Sequence, residues 1–386
     1  MQQLNQPPSV PITEFMYRKA SQRLIPLSGT FELSPVCNFD CKMCYVRKTA
    51  QEVAASPRPI LTLEDWLRIA RQARDEGLVY LLLTGGEPFL WPDFWPLYRQ
   101  LIHMGFIISI NTNGSMIDAA AVEQLKQLPP RRINITLYGA NDDTYYKLCG
   151  VRNQFSRVDS AIMGLKEAGI EVKLNCSLTL HNQQDLDQMI AYAQARDLEM
   201  SVTTYMFPPI RKDADAVGVN DARFTPEDAA RYRLRAYQLQ NPPQNYYRLL
   251  CDIQKGRTLP LGLDESCEDP VDGKIRCRAG KASFWVTWDG WMTPCGLMPT
   301  PRVDAAALPF GQAWAEITRL AGQVRLSGLC EKCPSVGVCH PCAAMAIAET
   351  GTASGMPQYL CHTVQWMQKI AEEHLQTMFP DGCAEP

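Results

Sequence analysis

The sequence lacks long hydrophobic runs, a secretory signal and an excess of charge of either sign. No apolar run approaches the roughly 20 residues that a membrane helix needs. The opening stretch, MQQLNQPPSV, shows no charged segment followed by an apolar one. Lys and Arg number 38 against 41 Asp and Glu, a net charge of −3, so there is no basic footprint for nucleic acid. These features predict a cytoplasmic protein with neither a membrane nor a nucleic-acid partner.

Histidine is also scarce, with five residues, whereas cysteine is abundant, with 15. A reducing compartment does not favour disulfides, so thiols there more often hold metal or carry out redox chemistry. Most of the cysteines fall into two spaced groups. The first group is Cys37, Cys41 and Cys44, and the second is Cys277, Cys295, Cys330, Cys333, Cys339, Cys342 and Cys361. The others are Cys149, Cys176, Cys251, Cys267 and Cys383.

Short apolar runs alternate with amphipathic helical patterns from residue 31 to about residue 206. One such helix is predicted to start at Leu63, behind a capping box of Thr62 and Asp65. Alternation of this kind is typical of parallel β-α units, which place their functional residues at the carboxyl ends of the strands. About 175 residues is short for an eight-unit barrel, so an α/β fold with a six-unit partial barrel is predicted. The predicted strands are Phe31–Val36, Val79–Thr84, Phe106–Asn111, Ile133–Tyr138, Glu171–Thr179 and Met200–Phe207.

Changes of composition along the chain predict five segments. The Cys-rich fourth segment is predicted to be a small α+β domain, in which Asp289-Gly290 indicates a type I′ hairpin turn. The segments are an N-terminal lead-in (1–30), the partial barrel (31–206), a helical connector (207–264), the Cys-rich domain (265–362) and a C-terminal helix and tail from Thr363 onward (363–386).

The first cysteine group directly follows the first predicted strand and therefore lies in a loop at its carboxyl end. Structural zinc sites use four ligands, and no fourth Cys or His follows nearby. An iron–sulfur cluster held by three cysteines instead leaves one iron open to an exogenous ligand. A chelating cofactor that binds this iron can receive an electron through it.

The segment Thr84-Gly85-Gly86-Glu87-Pro88 follows the second predicted strand, at the same end of the sheet. Its glycines let backbone groups approach a ligand closely, and their carbonyls can accept hydrogen bonds from an ammonium group. Taken alone, the segment is better interpreted as an ordinary strand-to-helix turn. Next to a loop of three cysteines, a shared ligand site becomes the favoured interpretation.

The combination of CNFDCKMCY with GGEP resembles the radical S-adenosylmethionine (SAM) superfamily. The resemblance implies a partial (β/α)6 barrel over residues 31–206. It implies that Cys37, Cys41 and Cys44 bind a [4Fe–4S] cluster whose open iron chelates the amino and carboxylate groups of SAM. It places Gly85, Gly86 and Glu87 beside the methionine moiety, and Asn111, Thr112 and Asn113 near the ribose. Asn and Thr at these last positions are interpreted equally well as turn residues.

The sequence departs from this family after the fourth strand. Many relatives carry a Ser-Leu-Asp-Gly-like segment there, and an arginine that binds the SAM carboxylate. This chain has Thr136-Leu137-Tyr138-Gly139 instead. Thr136 is therefore the predicted cofactor-binding residue of this segment, and Arg152 is the predicted replacement for the arginine.

The second cysteine group permits two interpretations. Cys330 to Cys342 alone would suit a compact zinc site, but seven cysteines exceed one tetrahedral site. The whole string resembles the SPASM auxiliary-cluster domain, although the family usually separates its last pair by three residues rather than two. The resemblance implies one [4Fe–4S] cluster on Cys330, Cys333, Cys339 and Cys361, and another on Cys277, Cys295 and Cys342. Cys267 is the candidate fourth ligand of the latter; the alternatives are an open iron and a simple buried thiol.

The resemblance implies an oxidoreductase that cleaves SAM reductively to a 5′-deoxyadenosyl radical. Its predicted substrate is a peptide or protein side chain, in RiPP-type maturation such as thioether or carbon–carbon crosslinking, with flavodoxin or ferredoxin as reductant. One alternative is a small-molecule radical dehydrogenase or isomerase. Another is a protein oxidase like the sulfatase maturases, but these place an acidic base where Gly296 follows Cys295 here. A non-enzymatic iron–sulfur or zinc module is disfavoured by GGEP, and no catalytic acid or base is singled out.

Overall fold

Six parallel strands form the first half of the protein, whose computed structural model describes residues 11–257 and 273–379. They lie in the order β6-β5-β4-β3-β2-β1 across the sheet, as expected for successive β-α units. The predicted six-unit partial barrel is therefore confirmed. The strands are β1 Ser28–Glu32, β2 Tyr80–Thr84, β3 Ile107–Thr112, β4 Arg132–Thr136, β5 Val172–Ser177 and β6 Glu199–Thr203.

The two faces of the sheet differ in polarity because successive side chains of a strand point to opposite faces. One face carries apolar residues such as Phe31, Leu83 and Ile133, which are buried in the main hydrophobic core with the surrounding helices. The opposite face carries polar residues, among them Asn111 and Asn134, which hydrogen-bond to each other. The barrel interior is thus lined by groups suited to polar ligands.

Helices connect these strands and make up most of the second half of the chain. The capping box predicted at Thr62 and Asp65 is present at the start of α3. In the described part of the chain, no helix has the length and apolarity to cross a bilayer. The helices are α1 Ile12–Arg23, α2 Ala50–Ala54, α3 Leu63–Asp75, α4 Phe94–His103, α5 Ala119–Gln127, α6 Asp142–Cys149, α7 Phe155–Glu167, α8 Leu186–Ala195, α9 Pro226–Gln240, α10 Pro243–Gln254, α11 Phe310–Ala321, α12 Gly328–Glu331, α13 Val336–Cys339, α14 Ala343–Thr350 and α15 Gln358–Met378.

Three further strands extend the barrel sheet. The sequence predicted a hairpin around Asp289-Gly290, but it did not predict that the hairpin would pair with β1. β7 (Ser283–Val286) pairs in parallel with β1, and the short strands β8 (Trp291–Thr293) and β9 (Val303–Asp304) follow in antiparallel pairs. The result is one sheet of nine strands. The Cys-rich region is therefore joined to the barrel by backbone hydrogen bonds.

The predicted type I′ turn between β7 and β8 is wrong. A type I′ turn needs positive φ at both central residues, but of the two only Gly290 has it, at 87°. The Gly290 N–H donates to the Thr287 carbonyl at 2.9 Å. The connection is a three-residue loop closed by a left-handed glycine.

Several predicted boundaries also shift, among them the end of β6, which is Thr203 rather than Phe207, and two of the shifts lie next to the cysteines. β1 covers Ser28–Glu32 rather than Phe31–Val36, because the backbone at residues 34–36 leaves the sheet to accept hydrogen bonds from the Gly-rich turn after β2. The last helix begins at Gln358 rather than Thr363. Cys361 consequently lies in its first turn.

Candidate active site

The Gly-rich turn after β2 contacts the backbone that leads into the first cysteine group. The Gly86 N–H donates to the Ser34 carbonyl at 2.7 Å, and the Glu87 N–H donates to the Val36 carbonyl at 3.0 Å. A Cβ on Gly86 would lie 2.4 Å from the Val36 oxygen. A side chain at this position would therefore push the cysteine loop away, which explains the glycine.

Glu87 is fully buried and joins the ends of β2 and β3. Its carboxylate accepts hydrogen bonds from the Thr112 hydroxyl and the Asn113 N–H, both at 2.8 Å. Burial raises the pKa of Glu87 to about 7, although these hydrogen bonds act in the opposite direction. Thr112 and Asn113 are thus engaged with Glu87, and their contact with a ribose stays a prediction.

Asn113 extends this connection to the cysteine loop. Its side-chain amide lies 3.7 Å from the Cys37 sulfur and donates to the Asn38 side chain at 2.9 Å. Cys37, Glu87, Thr112 and Asn113 therefore form one hydrogen-bonded unit. The structure brings these predicted site residues together.

The three thiols of the first group lie close enough to affect one another. Burial raises the pKa of Cys37 to about 12, and Cys41 and Cys44 add to the rise. Burial likewise raises the pKa of Cys44. Because burial disfavours the thiolate, these thiols need a nearby positive charge in order to ionise, and bound metal ions supply such a charge. The donor set thus fits a polynuclear iron centre.

The geometry of these thiols differs from that of a single-ion site. Within residues 11–257 and 273–379, no three His, Cys, Asp or Glu side chains converge as ligands of one metal ion. A centre of several irons would accept thiolates that do not converge on one point.

Cys149 supports the same loop, which the sequence did not reveal. This thiol is fully buried in the main core, against which Cys41 packs. The backbone carbonyls of Leu148 and Cys149 accept hydrogen bonds from Lys42 and Asp40. The end of α6 therefore holds the middle of the cysteine loop.

The other predicted cofactor-binding residues are more dispersed. Asn111 accepts a hydrogen bond from Asn134 at 2.8 Å inside the barrel, and Thr136 pairs in register with Asn175 at the end of β4. Arg152 is exposed, with its guanidinium 3.8 Å from the ring centroid of Tyr146. Across the described ranges, its side chain makes no hydrogen bond to the other predicted site residues. Its role toward a carboxylate stays a prediction.

The structure divides the second cysteine group into four and three. Burial raises the pKa of Cys339 to about 12, and Cys361, Cys330 and Cys333 add to the rise. These four thiols therefore share one neighbourhood, beside the first turn of α15.

The other three thiols surround a separate small hydrophobic cluster. Cys277, Cys295 and Cys342 all contact this cluster, whose buried members include Ile275 and Met298. Burial raises the pKa of Cys295 to about 11, and Cys342 adds to it. This division is the one the family resemblance implies, while the ligand assignments stay predictions. Cys267 lies outside the described residues.

A buried ion pair lies between the first cysteine loop and Cys295. Glu32, at the end of β1, accepts two hydrogen bonds from Arg211, at 2.8 and 2.9 Å, and one from the Trp285 indole at 2.9 Å. Arg211 also donates to the Gly296 carbonyl at 2.9 Å. Its guanidinium lies 5.9 Å from the ring centroid of Tyr45, the residue after Cys44. The sequence analysis missed this pair, because its two members lie 179 positions apart in the chain.

Gly296 itself lies against the Trp285 ring. A Cβ at position 296 would be 2.6 Å from the ring carbons of Trp285. The Trp285 indole is held in place by Glu32. The position after Cys295 therefore has no room for a side chain.

The radical SAM superfamily matches residues 31–193, which include the cysteine loop and the Gly-rich turn. The AdoMet-dependent heme synthase of Methanosarcina barkeri is 25% identical over 335 residues, covering 83% of this chain and 92% of the synthase. A probable GTP 3′,8-cyclase of Saccharolobus solfataricus is 34% identical over 164 residues, 42% of this chain. That match spans only about half of the cyclase, 51%.

Two solved structures share the fold over most of the chain. Streptococcus suis SuiB bound to precursor peptide SuiA superposes with a TM-score of 0.63 and 18% identity, covering 94% of this chain and 83% of SuiB. The protein anSMEcpe with bound AdoMet gives a TM-score of 0.66 and 18% identity, covering 92% of this chain and 100% of anSMEcpe. Residues 31–193 therefore match the radical SAM superfamily, whose enzymes use a [4Fe–4S] cluster and S-adenosylmethionine, and the chain shares its fold with SuiB and anSMEcpe.

Proposed function

We propose that Cys37, Cys41 and Cys44 hold the [4Fe–4S] cluster of this enzyme, with one iron open to SAM. The observation that carries this proposal is the hydrogen-bonded unit that joins Cys37 through Asn113 to Glu87. The bound cluster and SAM together supply reductive cleavage of the sulfonium to methionine and a 5′-deoxyadenosyl radical. A radical of this kind is indiscriminate, so the protein must exclude water and orient a single C–H bond.

The residues around the loop have separable tasks in this proposal. The Gly86 N–H donates to the backbone before Cys37, and Gly85 approaches the same backbone closely. The carbonyls of both glycines remain available to an ammonium group. Glu87 fixes the ends of β2 and β3 beside the loop. Inside the barrel, the amides of Asn111 and Asn134 provide donors and acceptors suited to ribose hydroxyls.

We assign the second cysteine group to two auxiliary clusters. Cys330, Cys333, Cys339 and Cys361 share one neighbourhood and provide a full set of four ligands. Cys277, Cys295 and Cys342 provide three ligands of the other. Full reconstitution then gives about 12 irons per chain.

The proposed substrate is a peptide or protein side chain. The fold is shared over more than nine-tenths of this chain with SuiB bound to its precursor peptide and with anSMEcpe bound to AdoMet and a Kp18Cys peptide. In this proposal, clusters held by the second cysteine group would supply an acceptor for the electron of the substrate radical or a binding site for a substrate thiolate, which suits thioether or carbon–carbon crosslinking.

A second candidate is a radical reaction on a small molecule. The resemblance to the heme synthase, which extends over 92% of that enzyme, favours a heme-related substrate. A third, oxidation of the sulfatase-maturase type, is disfavoured. The position that would carry its acidic base is Gly296, which the Trp285 ring leaves no room to replace.

The proposal is tested by anaerobic reconstitution followed by incubation with SAM and dithionite. We expect 5′-deoxyadenosine from the wild-type chain and none from the variant Cys37→Ala/Cys41→Ala/Cys44→Ala. Cys176→Ala is the matched control, because this buried thiol belongs to neither group. Nucleoside formation by the triple variant would refute the cluster assignment.

The substrate classes are distinguished by deuterium transfer. Deuterated peptides encoded by neighbouring genes and deuterated porphyrins are offered separately to the active enzyme. Label in 5′-deoxyadenosine from a peptide supports the first candidate. Label from a porphyrin alone supports the second and overturns the first.

A further inference from the structure

Arg233 on α9 places its positive charge beside the four-cysteine neighbourhood without a carboxylate partner. Its guanidinium contacts the Met367 sulfur on α15, with an N–S distance of 3.8 Å. Cys339 packs against the same hydrophobic cluster that contains Met367, and the charges of Arg233 and Cys339 favour each other. Within residues 11–257 and 273–379, Arg233 forms no ion pair with an acidic side chain.

The neighbouring arginines of the same helix behave differently. Arg231 pairs with Glu227 at 2.7 Å, and Arg235 pairs with Asp187 at 2.6 Å. Because a helix turns by about 100° per residue, these two side chains share one face and Arg233 points to the opposite one. That opposite face packs on α10, α13 and α15 in the second hydrophobic core.

Arg233 is half-buried against this core, where a charged group is costly unless an opposite charge compensates it. Burial does lower the pKa of Arg233, but arginine remains protonated in proteins. The acidic group that acts electrostatically on Arg233 is Cys339, which belongs to the set of Cys330, Cys333, Cys339 and Cys361. A [4Fe–4S] centre on four thiolates carries a net negative charge in both of its common oxidation states.

We propose that Arg233 is the counter-charge of an auxiliary cluster on these four cysteines and that it raises the reduction potential of that cluster. The inference rests on the auxiliary-cluster part of the proposed function. A fixed cation favours the reduced, more negative state, because adding an electron increases the attraction. In this inference Arg233 acts on the cluster through its charge and is not a catalytic residue.

The test is an EPR-monitored redox titration of the reconstituted full-length chain. The relevant signal is the one that disappears in Cys330→Ala/Cys333→Ala. We expect Arg233→Met to reduce the equilibrium constant for reduction of this cluster about tenfold, a potential lower by 59 mV. Arg233→Lys keeps the charge and should remain near the wild-type potential, and Arg231→Met should leave it unchanged.

A second measurement separates this role from simple packing. Without iron, the Arg233 charge is uncompensated, so Arg233→Met should leave the apoprotein as stable as the wild type or stabilise it. With iron bound, the same variant should be less stable than the wild type. A purely structural arginine would stabilise both forms.

The outcomes are distinguishable. A cluster signal that Arg233→Met does not shift, or that Arg231→Met shifts equally, overturns this inference and leaves the proposed clusters standing. Equal destabilisation of the apo and iron-loaded forms also overturns it. Absence of any signal or iron that depends on Cys330 and Cys333 overturns both this inference and the auxiliary-cluster assignment.

Discussion

The Thr112 hydroxyl donates a 2.8 Å hydrogen bond to the buried carboxylate of Glu87. Thr112 ends β3, and Glu87 follows β2, so this contact joins two neighbouring strands at the end of the sheet that carries the cysteine loop. Because burial raises the pKa of Glu87 to about 7, we expect the stability of this part of the protein to depend on pH near neutrality.

We expect Glu87 to make the apoprotein less stable as the pH rises. Its folded pKa, about 7, lies above the ordinary value of 4.5, so its contribution is complete below about pH 4.5 and is lost as the pH rises through 7. The loss amounts to about 3 kcal/mol. Urea unfolding at pH 5 and pH 8 measures it.

Glu87→Gln should reduce the difference in the free energy of unfolding between pH 5 and pH 8, because the amide does not titrate. It should also lower stability at both, since its NH2 group meets donors at Thr112 and Asn113. Glu123→Gln, on the exposed face of α5, should keep the wild-type pH dependence. An unchanged difference in Glu87→Gln would contradict the prediction.

Gly86→Ala should displace the loop that carries the first cysteine group. Its Cβ would lie 2.4 Å from the Val36 oxygen, and overpacking of this kind costs about 1–3 kcal/mol. We expect lower iron content after reconstitution and a lower free energy of unfolding. In contrast, Gly164→Ala on α7 meets its nearest neighbour, Val122, at 3.4 Å and should be neutral or stabilising. Equal iron content in both variants would argue against the close approach.

Arg211→Met should be strongly destabilising, by about 3–5 kcal/mol, because it leaves the Glu32 carboxylate buried without its partner. The double variant Glu32→Gln/Arg211→Met should be less destabilised than the sum of the two single variants. Chemical unfolding of the four proteins gives the coupling energy. Strict additivity would show that the pair does not act as a unit.

Gly296→Ala should lower the free energy of unfolding by about 1–3 kcal/mol, because the new methyl group meets the Trp285 ring. Combining it with Trp285→Leu should recover part of the loss beyond additivity. Gly328→Ala is the control, since a Cβ there has no atom within 4 Å. If Gly296→Ala is neutral, the space argument against an acidic base at this position fails.

The sequence alone determined the local chemistry of this protein. The spacing of Cys37, Cys41 and Cys44 and the glycines at 85 and 86 predicted the site, because close backbone approach and thiolate donors are properties of residue type. The alternation of apolar runs with helical patterns predicted the partial barrel, because the spacing of apolar residues within a short segment indicates whether it forms a strand or a helix.

The tertiary structure decided what depends on residues distant in sequence. The pairing of β1 with β7, the ion pair of Glu32 with Arg211, and the packing of Cys41 against the core that contains Cys149 all join segments separated by more than 100 positions. Local sequence patterns do not predict contacts between residues so far apart in the chain. The environment of Arg233 likewise depends on the tertiary structure. Arg231 and Arg235 form ion pairs with Glu227 and Asp187 on one face of α9, whereas Arg233 lies on the opposite face.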